Sequence, residues 1–174
     1  MKNHDLVILV DAMDREQGTM EKLDAHKKAI LHRAISVFIF NSQGEWLLQK
    51  RAFSKYHSNG LWTNTCCSHP FPGESNINAA NRRLMEEMGM TADLKEIFHF
   101  IYKEELDNHL TEHELDHVFI GFSDAEPAIN TNEVVEWKYI SYNDLTTNIA
   151  STPSEYTVWF KKIIKRVNEH IKNR

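Results

Sequence analysis

The sequence has little cysteine, no long apolar run and no excess of basic residues. Its two cysteines, Cys66 and Cys67, are adjacent and therefore poorly suited to bridging each other, which excludes a disulfide framework and indicates a reducing compartment. Lys and Arg number 20 against 25 Asp and Glu, and the resulting net charge of −5 argues against sequence-independent binding to nucleic acid. The apolar runs are too short for a membrane span, and acidic residues come too early for a secretory signal. We therefore expect a cytoplasmic protein without nucleic-acid or membrane partners.

The remaining composition is that of an ordinary globular domain. Hydrophobic residues make up 41% and charged residues 26%, a balance that argues against disorder. The 174 residues contain no internal repeat, low-complexity tract or Gly/Ser-rich linker, so we assign residues 1–174 to a single domain. Ten histidines is a high number for this length.

Short runs of β-branched and aromatic residues predict a largely β framework. Residues 6–10 and 32–40 read as strands, and a turn at 41–44 leads into a returning strand at 45–51, which together form a hairpin. The segment 52–74, with many His, Asn, Gly and Pro residues, is predicted to be a long loop. Further strands are predicted at residues 97–103, 113–122 and 136–140.

Two segments have helical spacing, and a third is ambiguous. Ser75 is a suitable N-cap for a helix to Met88 with Ile77, Ala80, Leu84 and Met88 on one stripe and Gly89 as its end. Residues 152–155 form a capping box, and apolar residues from 156 to 171 continue it at helical spacing. Residues 19–31 fit either a helical turn or an approach loop. The sum is a mixed α/β domain.

Carboxylates and histidines recur at a spacing of two residues. Glu112 and Glu114 share one face if they lie on a strand, and two close carboxylates repel unless a cation or a shared proton compensates. A lone pair of this kind is more often a solvated acidic edge. With His26, His32 and His69, however, the two carboxylates offer ligands suited to Zn²⁺, Mn²⁺ or Fe²⁺. The sequence alone leaves their convergence open.

A third pattern runs from Gly73-Glu74 through the helix to Gly89. Arg82–Glu86 and Arg83–Glu87 have the i,i+4 spacing of ordinary ion pairs on a helix surface. Carboxylates on successive helical turns also bind the hard cations that neutralise phosphate chains. Both interpretations fit the spacing.

The fixed positions of this segment, residues 68–90, resemble the Nudix box, G-x5-E-x7-R-E-U-x-E-E-x-G-U, where U is aliphatic. The sequence departs from the box at two positions: Ser68 stands where Gly is usual, and Arg83 replaces the first Glu of R-E. Because Nudix hydrolases use the carboxylates of this box to hold their metals, Arg83 argues against an ordinary hydrolase. A guanidinium at this position suits an intact diphosphate.

Residues ahead of the box narrow the resemblance. The runs 50–55 (KRAFSK), 60–64 (GLWTN) and 67–70 (CSHP) are similar to type I isopentenyl-diphosphate isomerases, and the similarity extends from Met20 to Trp159. The resemblance implies the Nudix fold, an α+β architecture with a mixed β-sheet between helices. It also implies isomerisation of isopentenyl diphosphate to dimethylallyl diphosphate by protonation and deprotonation through a tertiary carbocation.

The resemblance also assigns catalytic roles. It places Cys67 and Glu114 on opposite faces of the alkene, with Tyr102 beside Glu114. The order of the proton transfers stays open; we expect Glu114, assisted by Tyr102, to act first. Trp159 is expected to shield the carbocation, although with its neighbours it also fits a helical core stripe. Cys66 has no matching role.

Metal and substrate ligands follow from the same resemblance. A Mn²⁺ or Zn²⁺ ion is expected at a site of three histidines and two glutamates: His26, His32, His69, Glu112 and Glu114. A Mg²⁺ ion is expected to bridge Glu87, the backbone carbonyl of Cys67 and the substrate diphosphate. The diphosphate contacts are expected to be Lys22, Arg51, Lys55 and Arg83.

Two other functions stay possible from the sequence. One is a Nudix pyrophosphohydrolase of a nucleoside or prenyl diphosphate, and the other is a non-catalytic diphosphate-binding module. A small-molecule substrate is expected in each case, and we expect a monomer or a weak homodimer.

Overall fold

The computed structural model of the protein describes residues 5–55 and 57–173, so the parts of the predicted domain at residues 1–4, 56 and 174 lie outside it. The strands are β1 (Leu6–Val10), β2 (Glu16–Glu21), β3 (His32–Phe40), β4 (Trp46–Arg51), β5 (Trp62–Thr63), β6 (Cys66–Ser68), β7 (Lys95–Glu105), β8 (Thr111–Phe122) and β9 (Val134–Ile140). The α-helices are α1 (Lys22–Lys27), α2 (Asn76–Met88), α3 (Tyr142–Ser151) and α4 (Val158–Lys172), with short 3₁₀ turns at Asp107–His109 and Pro153–Glu155.

Strand β3 is the centre of the mixed sheet. Along one edge it pairs in parallel with β8 over its whole length, from His32 opposite Glu114 to Phe40 opposite Phe122. Its other edge is shared by three antiparallel strands in succession: β1 at His32, β6 along the middle and β4 at Phe40. All nine residues of β3 are buried. A strand that is covered on both faces has a nearly continuous run of apolar residues, which is why the sequence predicts this strand clearly.

The outer strands extend the sheet from this centre. Strand β2 pairs with β1, β7 pairs with β8, and β9 and β5 pair with β4, all in antiparallel orientation. The predicted hairpin of β3 and β4 is confirmed, but its strands pair only next to the turn, where Phe40 lies opposite Trp46. Beyond that pair the strands separate, and β6 takes the place beside β3.

Helices cover both faces of the sheet, as the resemblance implied. One core packs Phe38, Phe40 and Trp46 against α4 and α3, through side chains such as Phe160 and Leu145. The core on the opposite face packs β3 against α2: Ile35, Val37, Ile39, Ala79, Ala80, Leu84 and Met88. No helix among the described residues is long and apolar enough to cross a membrane.

Helix α2 begins and ends where the sequence predicts. The hydroxyl of Ser75 accepts the backbone N–H of Asn78, and Gly89 ends the helix in the left-handed conformation at φ 61°. A side chain at Gly89 would also collide with the carbonyl oxygen of Ala128. The predicted apolar stripe is wrong at its first position, because Ile77 is 37% exposed, and Ala79 is buried in its place.

Three predictions for the rest of the chain need correction. The loop predicted at 52–74 contains the short strands β5 and β6, which have too few residues to show an alternating pattern. The ambiguous segment 19–31 holds the end of β2 and the short helix α1. Helix α3 was missed; its signal was Ser141, whose hydroxyl caps the N–H of Asp144, but Leu145 is its only buried residue.

The capping box at 152–155 is also wrong as the start of the last helix. It forms a single 3₁₀ turn, and α4 begins only after Thr157. The N–H of Thr157 donates to the carbonyl of Trp62 at 3.0 Å, and its hydroxyl donates to Thr63 at 2.9 Å. This pairing with β5 fixes residues 156–157 in extended form and overrides the local helix signal.

Leu84 and Ile77 provide a matched test of the α2 interface. Leu84 is fully buried against β3, whereas Ile77 is partly exposed on the same helix. We expect Leu84→Ala to lower the free energy of unfolding by about 2–5 kcal/mol, through lost burial and the cavity it leaves. Ile77→Ala should cost clearly less. Urea unfolding of both variants measures the change in the free energy of unfolding. Equal decreases would contradict the deeper burial of Leu84.

Candidate active site

A cavity of about 80 Å³ lies at the end of the sheet where β3, β6, β7 and β8 present polar side chains. Its lining combines acids, bases, cations and one thiol: Lys22, Ile35, Ser36, Arg51, Lys55, His57, Cys67, Ser68, His69, Arg83, Tyr102, Glu112, Glu114 and Trp159. Most of the residues singled out in the sequence therefore converge. Three of the predicted residues do not line the cavity: His26 and His32, whose rings neighbour that of His69, and Glu87.

Strand register aligns the central residues. Tyr102 on β7 lies opposite Glu114 on β8, and Glu114 lies beside His32 on β3. On the other edge of β3, Ser36 lies opposite Cys67. Because alternate residues of a strand share a face, Glu112 and Glu114 project together, as the sequence predicted. Both carboxylates are almost completely buried rather than solvated.

Three histidines surround the Glu114 carboxylate. Nε2 of His69 lies 2.9 Å from Oε1 of Glu114, and Nε2 of His32 lies 3.5 Å from the same oxygen. The ring centroid of His26 is 4.9 Å from that of His32 and 5.7 Å from that of His69. One potential ligand atom from each of the three histidines and Glu114 lies within 4.8 Å of the other three.

Backbone carbonyls set the tautomers of two of these histidines. Nδ1 of His26 donates to the carbonyl of Lys22 at 2.7 Å, and Nδ1 of His32 donates to that of Ile30 at 2.8 Å. A carbonyl only accepts, so each neutral ring carries its lone pair on Nε2. Such outer contacts typically orient metal-binding histidines. Three imidazoles and buried carboxylates therefore fit a divalent cation.

Tyr102 joins the two carboxylates into one hydrogen-bonded chain. Its hydroxyl contacts Glu112 and lies 2.6 Å from Oε2 of Glu114. The phenol has one proton, so it donates to one carboxylate, while the other carboxyl group must carry a proton and donate to the phenol oxygen.

The electrostatics decide which carboxyl group holds that proton. Burial and the charge of Glu114 raise the pKa of Glu112 well above its usual value. Burial acts on Glu114 too, but its close contacts with the imidazoles of His32 and His69 outweigh it and hold the pKa of Glu114 well below its usual value. In the metal-free protein the proton therefore resides on Glu112, and Tyr102 donates to ionised Glu114.

The two adjacent cysteines face opposite sides of β6. Cys66 is fully buried in the core against α2, whereas Cys67 packs toward the other face and lines the cavity. Burial raises the pKa of Cys67 well above its usual value, although Arg51 partly opposes this. Cys67 is therefore a protonated thiol at neutral pH. Because successive residues of a strand point to opposite faces, Cys67 reaches the cavity while Cys66 packs in the core.

Four positive side chains line the cavity: Lys22, Arg51, Lys55 and Arg83. Lys55 forms an ion pair with Glu133, and Arg83 lies 3.4 Å from the same carboxylate. Within the described part of the chain, the buried Nε of Arg51 has no hydrogen-bond partner. An unsatisfied buried donor of this kind suits an anionic ligand.

Glu87 lies beside this cationic group but not on the cavity lining. Its carboxylate accepts from Arg83 at 2.6 Å and from Gln49 at 2.7 Å. The pairs Arg82–Glu86 and Arg83–Glu87 both form, which confirms the ion-pair interpretation of their i,i+4 spacing. The sequence left open whether these carboxylates also hold a cation.

Trp159 covers the cavity from the first turn of α4. It is 3% exposed, and the Arg51 guanidinium lies 5.4 Å from the centroid of its ring. Trp159 also belongs to the α4 core, which confirms the predicted core stripe, while its role beside the carbocation stays a prediction. A single residue serves as packing and as a wall of the cavity.

Sequence reasoning missed two residues of the site. His57 is buried, and its Nε2 lies 3.6 Å from Oε1 of Glu112. Glu133, just before β9, bridges Lys55 and Arg83. His57 lies in the segment predicted to be an irregular loop, and Glu133 precedes a strand by one position; neither carries a periodic signal. The excess of histidine was the only indication of His57.

The class of protein follows from the fold and from the comparison with known families. The NUDIX domain family model matches residues 30–160. A crystal structure of the DR0079 protein from Deinococcus radiodurans superposes with a TM-score of 0.78 at 20% identity, covering 92% of this chain and 98% of that one. The protein is therefore a Nudix-fold protein.

Sequence relatives define the group within that class. An isopentenyl-diphosphate Delta-isomerase of Pectobacterium atrosepticum is 50% identical over 94% of this chain and 92% of its own length. An isopentenyl-diphosphate Delta-isomerase 2 of Photorhabdus laumondii is 52% identical over 92% of this chain and 90% of its own. The chain belongs to the isopentenyl-diphosphate Delta-isomerase family.

Burial of His57 generates a testable pH dependence. Burial and the charge of Arg51 lower the pKa of His57 to about 3, against about 6.5 for an unfolded histidine. Between these values the unfolded chain binds a proton that the folded one rejects, so stability falls as the pH falls below 6.5. In chelator-treated protein we expect His57→Gln to reduce this decline by up to about 1.4 kcal/mol per pH unit.

Urea unfolding between pH 7 and pH 5 measures the decline. His109→Asn is the control, because His109 is exposed and its φ of 56° suits Asn. The control should follow the wild-type curve. An unchanged slope in His57→Gln would show that His57 is protonated in the folded protein.

Proposed function

We propose that the protein isomerises isopentenyl diphosphate to dimethylallyl diphosphate. Isopentenyl diphosphate is the substrate for which its relatives are named. One observation carries the proposal: a single cavity holds a protonated thiol, a Tyr–Glu hydrogen-bonded pair and four cations. These are the groups needed to move a proton onto and off an alkene while its diphosphate stays intact.

The reaction requires an acid and a base. A proton adds to the terminal CH₂ carbon of the alkene, giving a tertiary carbocation, and a second proton leaves the neighbouring methylene to form the new double bond. An alkene is a poor base, so the acid must be close to it and water must be excluded. The burial of Glu114 and Tyr102 meets this requirement.

Glu114 and Cys67 are the proposed catalytic groups. Tyr102 contacts both carboxyl groups, so the proton held by Glu112 can reach Glu114 through the phenol hydroxyl. To accept the second proton, Cys67 must first lose the proton that its raised pKa retains, and the nearby charge of Arg51 favours the resulting thiolate. We propose that Glu114 with Tyr102 protonates the alkene and that Cys67 works on the opposite face.

The cationic group is proposed to bind the diphosphate. Lys22, Arg51, Lys55 and Arg83 line one side of the cavity, and the free Nε of Arg51 offers a donor. Glu133 holds Lys55 and Arg83 together when no diphosphate is bound. The planar guanidinium groups of Arg51 and Arg83 match the geometry of phosphate oxygens through bidentate contacts.

The chemistry of the donor set supports a divalent metal near the acid. His26, His32 and His69 with Glu112 and Glu114 would hold Mn²⁺ or Zn²⁺, and Glu87 with the Cys67 carbonyl would hold the Mg²⁺ of the bound diphosphate. When bound, such an ion lowers the proton affinity of its carboxylates and neutralises phosphate charge. Trp159 is proposed to stabilise the carbocation through its ring face, an interaction worth about 2 kcal/mol when desolvated.

Other aspects stay predictions. They are a single domain over residues 1–174, a cytoplasmic location, and a monomer or weak homodimer.

The adjacent cysteines provide a matched pair of variants. We expect Cys67→Ala to lower kcat by at least about 10²-fold, as for removal of a general acid or base. Cys66→Ala should keep most of the activity, because Cys66 faces the α2 core. Initial rates of dimethylallyl diphosphate formation measure both. Equal losses would contradict the assignment of the thiol.

The reaction itself is tested in D₂O. With isopentenyl diphosphate and Mg²⁺ we expect dimethylallyl diphosphate that carries deuterium, detected by NMR, and an unchanged pair of diphosphate signals in the ³¹P spectrum. Phosphate release without the isomer would identify a pyrophosphohydrolase. Metal-dependent binding without deuterium uptake would identify a binding module.

A further inference from the structure

A second group of histidine and carboxylate side chains lies on the face of the sheet opposite the cavity. Glu112 and Glu114 of β8 point into the cavity, and His117, at an odd position, points to the other side. His117 is 5% exposed. It is therefore a buried imidazole for which the proposed isomerase reaction has no use.

Strand pairing brings His99 and Glu96 to His117. His99 on β7 lies directly opposite His117, with ring centroids 5.3 Å apart. A β-bulge between Glu96 and Phe98 shifts the register, so that Glu96 projects on the same face as the two histidines. Oε1 of Glu96 lies 2.7 Å from Nδ1 of His117. One potential ligand atom from each of the three residues lies within 4.8 Å of the others.

The carboxylate of Asp14 contacts the second ring nitrogen of His117 and orients the ring. Nε2 of His117 lies 3.1 Å from Oδ2 of Asp14, in the turn between β1 and β2. Asp14 is in turn held by Arg33, whose Nε donates to Oδ1 at 2.7 Å. With Nε2–H donated to Asp14, the lone pair of the neutral ring lies on Nδ1 and faces Glu96 and His99. A carboxylate–histidine pair of this kind is the usual outer support of a metal ligand.

The charges at this face are compatible with a cation. Glu96 and Asp14 supply two negative charges, and Arg33 supplies one positive charge, which contacts the Asp14 oxygen that His117 does not. Glu96 and His99 are exposed, which leaves an entry path from solvent. Two imidazoles and one carboxylate suit Zn²⁺ and leave a fourth position for water.

We propose that Glu96, His99 and His117 form a second divalent metal site, of the Zn²⁺ class, on the outer face of β7 and β8. The site is separate from the cavity and independent of the proposed isomerase reaction. A bound ion would tie β7 to β8 and, through His117 and Asp14, would tie both strands to the turn after β1. The alternative is a doubly protonated His117 that bridges Asp14 and Glu96 without a metal.

Zinc stoichiometry tests the proposal. Protein purified without a His tag is stripped with chelator, saturated with Zn²⁺, freed of excess ion and analysed by mass spectrometry for metal per chain. We expect His99→Asn to hold one Zn²⁺ fewer than the wild type. His109→Asn, which changes an exposed histidine outside the group, should match the wild type. The same Zn²⁺ content in His99→Asn and the wild type would overturn the site.

Asp14→Asn tests the outer support without removing a ligand. Asp14 has a φ of 60°, which Asn tolerates, so the turn should be retained. Competition with a chromophoric chelator should show Zn²⁺ bound about 10–100-fold more weakly at the His99-dependent site. Unchanged affinity would indicate that the Asp14–His117 contact is only an ion pair, and it would count against the site.

Discussion

The parallel pairing of β3 with β8 is the constraint on which the rest of the molecule depends. It places His32 beside Glu114, and the same register continues to Phe40 and Phe122. A shift of one residue would turn Glu112 and Glu114 to the opposite face and move His117 toward the cavity. The apolar residues of β8 oppose that shift, because Val118 and Ile120 pack in one core and Phe119 packs in the core on the opposite face. Core packing therefore holds Glu112 and Glu114 in position at the cavity.

Burial of charge is the second feature of the site. The carboxylates of Glu112 and Glu114 are both buried, and one chain of hydrogen bonds through Tyr102 makes this tolerable by sharing a proton. The cations on the other side of the cavity are held by Glu133 and Glu87. The net charge of −5 thus conceals a cavity that brings buried carboxyl groups together with positive side chains.

Much of the fold was predictable where the local pattern and the tertiary environment agree. Helix α2 was predicted at both ends, because Ser75 and Gly89 act through neighbouring backbone groups. The N-terminus of α4 was not, because Thr157 is bound to Trp62 and Thr63, residues distant in the chain. Strands β5 and β6 are too short for periodicity, yet β6 carries Cys67. His57 and Glu133 enter the site through loops, where sequence patterns carry no directional information.

The amino-acid sequence was enough to identify the family and to place Glu112 and Glu114 on one face of a strand, since these depend on motifs or on the fixed two-residue period of a strand. Which groups meet in space depends on the three-dimensional arrangement of the strands. The convergence of His26, His32 and His69, the proton shared through Tyr102, and the position of His99 opposite His117 all depend on strand register. Register is set by packing summed over the whole sheet, and no single segment of the chain contains that information.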